Sequence, residues 1–222
     1  MTSRRGSTVS LGVVRGRAEQ LVVGFDLDMT LIDTVPGFAA TLIALGEELE
    51  VDFPIDDIIA NLGPPLESLL AGQLPQAQLK AAGDRFRALY PTYAIEPVRY
   101  LAGAQDALAA VRRRNGRIVV VTGKFPQNAQ LHVDHLHMDI DVLEGWVWGA
   151  GKAEVLRREG AQVYVGDHVH DVEGALAAEV LSVSVTTGGC TSTQLAAAGS
   201  HVVLNSLEEF SSWFDAWPGP TG

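Results

Sequence analysis

Five short runs along the chain are almost uniformly apolar and rich in β-branched residues: Leu21–Phe25, Arg117–Val121, Gln162–Val165, Leu181–Val185 and His201–Leu204. A strand with one wet face alternates apolar and polar residues, whereas a strand covered on both faces is apolar throughout. Between these runs the apolar residues recur at helical spacing. Ala104–Arg114 sets Ala107, Leu108 and Val111 on one face and meets a stop signal at Asn115-Gly116. Ala153–Glu159 and Val172–Glu179 are shorter helices of the same kind, and Gln194–Ala198 precedes the last run. Strands alternating with helices predict an α/β fold built on a doubly wound, Rossmann-like parallel sheet.

From Pro36 to Val98 this rhythm stops, and no segment there reads as a strand. Phe38–Leu49, Asp56–Leu62, Leu66–Ala71 and Gln76–Tyr90 read as helices, broken by Gly63-Pro64-Pro65 and Leu74-Pro75. A helical block inserted after the first strand of an α/β core has the organisation of a lid. The expected division is a tail over 1–20, a catalytic core over 21–35 and 99–217, an all-helical cap domain over 36–98, and a C-terminal tail over 218–222.

Composition narrows the partners. Hydrophobic residues make up 47% and charged residues 19% of 222 residues, a globular balance with no apolar run long enough to span a bilayer. Arg4, Arg5, Arg15 and Arg17 are followed by no apolar segment, so no secretory signal is expected. The lone cysteine, Cys190, makes no internal disulfide and fits a reducing, cytoplasmic setting. A net charge of −11 argues against a nucleic-acid partner. An acidic protein that handles phosphate must concentrate positive charge locally, by a metal or a few basic side chains.

The candidate chemistry sits where strands end. Asp26 and Asp28 follow the first run, and in extended backbone residues two apart face the same way. Two such carboxylates repel unless they share a cation or one keeps a proton. The second run ends in Thr122-Gly123-Lys124, where a hydroxyl and free N–H groups suit phosphate oxygens, although a threonine there is also a common helix N-cap. Lys152 opens a helix, a place where a lysine is electrostatically unfavourable unless an anion lies nearby. The third run ends in Gly166-Asp167-His168-Val169-His170-Asp171, and Asp167 is placed as an oxygen ligand for Mg²⁺.

Taken in order, Asp-x-Asp-x-Thr, Thr-Gly, Lys and Gly-Asp-x₃-Asp resemble the four site segments of the haloacid dehalogenase superfamily, over roughly residues 21–205. Residues 36–98 resemble that family's helical cap of the first type. Gly63-Pro64-Pro65-Leu66-Glu67 is similar to the substrate-facing cap loop of phosphoglycolate-phosphatase-like members, and Leu101-Ala102-Gly103 to the return into the core. The resemblance implies a Mg²⁺-dependent phosphatase acting on a small phosphorylated metabolite, such as phosphoglycolate. It implies Asp26 as nucleophile and Asp28 as general acid and base. Asp26, the Asp28 backbone carbonyl and Asp167 would hold Mg²⁺. Thr122, Gly123 and Lys152 would bind the phosphoryl group, with Thr30 and Asp171 in support.

Asp28 favours phosphomonoester hydrolysis over dehalogenation, since the true dehalogenases lack an aspartate there. A sugar phosphomutase is the alternative, although such relatives usually carry Glu-Asp where this chain has Gly166-Asp167. A catalytically silent phospho-ligand binder is a third reading. No membrane partner is expected, and the chain is expected to be a monomer or homodimer. Two positions depart from the family pattern, Met29 and Glu179, where relatives often have glycine. His132, His135 and His137 are expected at the surface, Trp146, Trp148, Trp213 and Trp217 in packing, and Arg85, Arg87 and Arg99 on solvated faces.

Overall fold

The computed structural model describes residues 20–219, so most of the expected N-terminal tail and the last three residues lie outside the described residues. All five apolar runs are strands. In chain order the strands are β1 (Val22–Phe25), β2 (Ile32–Asp33), β3 (Arg99–Tyr100), β4 (Arg117–Val121), β5 (Val142–Glu144), β6 (Val163–Gly166), β7 (Leu181–Val185) and β8 (Val202–Leu204). Six of them form one parallel sheet in the order β5-β4-β1-β6-β7-β8. The chain runs outward from β1 through β4 to β5, then returns to the other side of β1 with β6. The strand direction of travel therefore reverses beside β1, and ligands of such sheets bind outside the C-terminal strand ends at that point.

Helices α5 (Ala104–Arg113), α6 (Pro126–His135), α7 (Lys152–Glu159), α8 (Val169–Ala178), α9 (Ser192–Ala197) and α10 (Phe210–Ala216) flank the sheet. One face buries Val23, Phe25, Ile118, Val120, Val163 and Val165 with residues of α5, α6 and α10; the other buries Val22, Val119, Val121 and Tyr164 against α7 and α8. This two-sided burial is why the sequences of β1, β4 and β6 do not alternate. The edge strand β5, the helices α6 and α10, and the small antiparallel pair β2–β3 were not expected from the pattern. In β5 all three residues stay partly exposed, so it carries no uniformly apolar signature.

Helices α1 (Val35–Leu49), α2 (Ile55–Ala60), α3 (Leu66–Leu70) and α4 (Gln76–Tyr93) form the inserted cap. Leu42, Leu45, Phe53, Leu70, Leu79, Phe86 and Leu89 give it a hydrophobic cluster of its own. The chain leaves the sheet through β2 and returns through β3, and the two pair as Ile32 with Tyr100 and Asp33 with Arg99. No described helix is long and apolar enough to cross a membrane.

Candidate active site

β1, β4 and β6 are adjacent, and their C-terminal ends deliver three of the four sequence segments to one place. Asp26 follows β1 directly, and its N–H donates to Val165 O of β6 (2.8 Å). Thr122 follows β4 and is 1% exposed. Asp167 follows β6. Lys152 is the first residue of α7, held over the same edge after a short 3₁₀ turn at Gly149–Gly151. A single cleft between core and cap is lined by Asp26, Asp28, Thr122, Gly123, Lys152, Asp167 and Asp171.

Lys152 organises the buried charge. Its Nζ donates to Asp26 Oδ1 (2.8 Å), Asp171 Oδ1 (2.6 Å) and Tyr164 Oη (2.8 Å). The Tyr164 hydroxyl in turn donates to Val121 O (2.7 Å). The other Asp171 oxygen accepts the N–H groups of Asp167 (3.2 Å) and His168 (3.0 Å). That closeness requires glycine at 166, because a Cβ there would collide with the Asp171 carboxyl. Thr30, wholly buried, donates from Oγ1 to Asp167 Oδ1 (2.8 Å). It thus ties the loop after β1 to the loop after β6.

The Asp26 carboxyl is raised to about 7, the net of burial, which lifts it most, Lys152, which pulls it down, and Asp171, which pushes it up. Burial likewise raises Asp167 well above the usual carboxylate range, with Asp171 and Asp26 adding to the rise. Burial disfavours the Lys152 ammonium, but Asp171 and Asp26 outweigh it and the net shift is upward. Asp26, Asp167 and Asp171 each offer a carboxylate oxygen within 4.8 Å of one another, all buried. This is more negative charge than one lysine balances. Hard oxygen donors in excess of local positive charge are the donor set that Mg²⁺ takes, so the residues fit the ion.

Two residues outside the expected set complete the cleft. Lys124 Nζ donates to Asp28 Oδ1 (2.8 Å) and to Tyr90 Oη (2.6 Å). Tyr90 belongs to the cap helix α4, and its hydroxyl also meets His132 Nε2 of α6 (3.0 Å). Lys124 was visible in the Thr122-Gly123-Lys124 segment. Tyr90 reads in sequence as a core position of its helix, one turn after Phe86, and nothing local marks it as polar in function.

His132 is a correction: it is fully buried, not at the surface. With Ala129 and Val133 it forms the inward face of α6. Burial, chiefly, lowers it to about 3, so it is neutral. The tryptophans divide. Trp213 and Trp217 stack beside Phe214, as expected of packing residues. Trp146 and Trp148 instead line the cleft, Trp146 half-exposed and edge-on to Phe125. Trp148 lies so close to Gly123 that a Cβ at 123 would strike its ring nitrogen. Arg85 pairs with Glu48 on the outside of the cap, and Arg99 donates to the carbonyl of Val98 (2.8 Å). Arg87 lines the cleft, paired to Glu67 (2.7 Å) with its guanidinium 5.5 Å from the Trp146 ring centre. His168 and His170 line it too.

Met29 and Glu179 both sit at positive φ, 57° and 61°. Glycine takes that conformation without steric penalty, which accounts physically for its use at both places.

The chain is 28% identical to a probable phosphatase, IndB, of Dickeya dadantii over 210 residues, 85% of this chain and 90% of that one. It is 28% identical to the tyrosine-protein kinase PtkA of Mycobacterium tuberculosis over 187 residues, 78% of this chain but 64% of that one. It is 26% identical to a phosphoglycolate phosphatase of Caulobacter vibrioides over 208 residues, 83% and 86% of the two chains. A haloacid dehalogenase-like hydrolase of Streptococcus pneumoniae superposes with a TM-score of 0.79 at 22% identity, covering 88% of this chain and 98% of that one. The sequence model of the haloacid dehalogenase-like hydrolases matches residues 23–176, from β1 through the Asp26, Thr122, Lys152 and Asp167 segments, and the chain belongs to that family.

Proposed function

We propose that this chain is a Mg²⁺-dependent phosphatase that hydrolyses a small phosphomonoester through an aspartyl-phosphate on Asp26. The observation that carries the reading is the convergence of Asp26, Lys152, Asp167 and Asp171 in one buried cluster at the C-terminal edge of the sheet. The probable phosphatase and the phosphoglycolate phosphatase among its relatives support it.

In this reading Asp26, Asp167 and the Asp28 backbone carbonyl hold Mg²⁺, which when bound offsets phosphoryl charge so that one anion can approach another. Thr122 and the Gly123 N–H orient the phosphoryl oxygens beside Lys152. An Asp26 oxygen attacks phosphorus, and the bond from phosphorus to the ester oxygen breaks. Asp28 gives its proton to the departing alkoxide. Asp28 then takes a proton from water as that water attacks phosphorus. The bond from phosphorus to Asp26 breaks, and inorganic phosphate leaves. Asp171 keeps Lys152 pointed at Asp26, and Thr30 keeps Asp167 in place.

Gly166 speaks against the phosphomutase alternative, because any side chain there would run into Asp171. The cap loop Gly63–Glu67 contributes Gly63, Pro64, Pro65 and Leu66 to the cleft, so phosphoglycolate is a reasoned first substrate. The test is a phosphate-release screen over a panel of metabolite phosphomonoesters with added Mg²⁺. Release that EDTA abolishes is expected. A protein that binds such esters tightly and never turns them over is a binding module, not an enzyme.

A further inference from the structure

The hydrogen-bonded chain from Asp28 through Lys124 and Tyr90 to His132 joins two loops and two helices of two domains, and the proposed reaction uses only its first member. The direction of the chain follows from donor counting. A lysine ammonium only donates, so Lys124 gives one N–H to Asp28 and one to the Tyr90 oxygen. If the Tyr90 hydroxyl then donates to His132 Nε2, the proton of the neutral imidazole lies on Nδ1, which is buried without a partner among the described residues. The opposite tautomer leaves both the Tyr90 hydroxyl proton and Nδ1 unpaired. The first arrangement strands fewer groups and is favoured.

The consequence is mechanical. The Lys124 side chain is 9% exposed and the Asp28 side chain 31%. Lys124 Nζ also lies 4.5 Å from the Tyr90 ring centre, so the ring faces the ammonium while the hydroxyl binds it. Tyr90 itself is wedged between Phe86 of its own helix (5.8 Å) and the edge of His132 (5.5 Å). Lys124 belongs to the core and Tyr90 to the cap. Withdrawing α4 from the core removes one of the two oxygens that anchor the ammonium, and the ammonium is what holds Asp28 by Oδ1, leaving Oδ2 to carry the proton.

We propose that Tyr90 and Lys124 are positioning residues for Asp28, so that its carboxyl group is aimed for proton transfer only while the cap is seated. This rests on the phosphatase reading, in which Asp28 protonates the leaving group. Tyr90 and Lys124 act through Asp28 and take no part in the attack on phosphorus.

A positioning role has a signature that loss of packing lacks. A 4-nitrophenolate leaves without a proton, whereas a basic phenolate needs one, so misplacing the acid hurts the second selectively. The experiment compares the wild-type chain with Tyr90→Phe and Lys124→Met over a series of substituted phenyl phosphates, from 4-nitrophenyl to 4-methoxyphenyl, with Mg²⁺. Both variants are expected to lose about tenfold more kcat/KM, which reports the phosphorylation step alone, on the 4-methoxyphenyl ester than on the 4-nitrophenyl ester. Two variants are used because Tyr90 is in the cap and Lys124 in the core, and thermal melting reports whether each folds. An equal loss of kcat/KM across the series, or no loss at all, overturns the proposal while leaving the phosphatase reading intact. A wild-type chain that releases no phosphate from any ester overturns the phosphatase reading, and this proposal with it.

Discussion

Lys152 Nζ stands 2.8 Å from Asp26 Oδ1 where water barely reaches: the two side chains are 4% and 11% exposed. Asp171, 5% exposed, holds the same ammonium from the other side at 2.6 Å. Breaking a buried ion pair by removing one partner leaves the other charge uncompensated and costs about 3 kcal/mol. Lys152→Met is therefore expected to lose that much stability in urea unfolding, together with all measurable turnover. Adding Asp171→Asn removes one of the stranded carboxylates. The double variant is expected to regain part of the stability and none of the activity.

The same excess of carboxylate predicts a metal effect that does not depend on turnover. A ligand that binds the folded chain alone stabilises it, by about 2.7 kcal/mol at a hundredfold excess over Kd. Mg²⁺ is expected to raise the melting temperature of the wild-type chain in calorimetry, and EDTA to reverse the rise. Asp167→Asn, which removes a charged oxygen ligand but keeps an acceptor for Thr30, is expected to abolish the shift. An equal shift in that variant would place the ion elsewhere.

His132 makes stability depend on acid. Its folded value lies near 3 against an ordinary value of 6.5. Between those values the unfolded chain binds a proton that the folded chain does not, so stability falls as pH falls from 6.5 toward 3. The slope from this one group is about 1.4 kcal/mol per pH unit. His132→Gln has no such proton to bind. Its unfolding free energy, measured at pH 6.5, 5.5 and 4.5, is expected to decline less steeply than that of the wild-type chain.

Glu179 closes α8 in a left-handed conformation, exposed to solvent and with its backbone N–H on Ala175 O and Leu176 O. A side chain in that region is strained by about 1 kcal/mol relative to glycine. Glu179→Gly is expected to stabilise the chain by up to that amount in denaturant unfolding, with activity unchanged.

These residues also show what the sequence makes legible. Asp26, Thr122, Lys152 and Asp167 could be found because each lies at the end of a strand or the start of a helix that its own neighbours define. The parallel sheet then brings the ends together without further information. Met29 and Glu179 were visible as departures, and their backbone angles explain why glycine suits both places. The Tyr90–Lys124 contact was not legible, because it joins residues 34 positions apart through the docking of the cap. His132 misled for the same reason. Its polarity suggests solvent, and only the packed cap supplies the tyrosine that lets it be buried. Strand β5 escaped because its residues are half-exposed at a sheet edge, where burial no longer imposes an apolar run.

The central claim is that Asp26 is covalently phosphorylated in each turnover. Its direct test is rapid mixing of the Mg²⁺-loaded chain with a phosphomonoester that it hydrolyses, followed by borohydride reduction and peptide mass spectrometry. An acyl phosphate is reduced to the alcohol, so the peptide carrying residue 26 is expected to contain homoserine there, in the wild-type chain and not in Asp26→Asn, which is expected to be inactive. Turnover with Asp26 unmodified, or an active Asp26→Asn, would contradict the account.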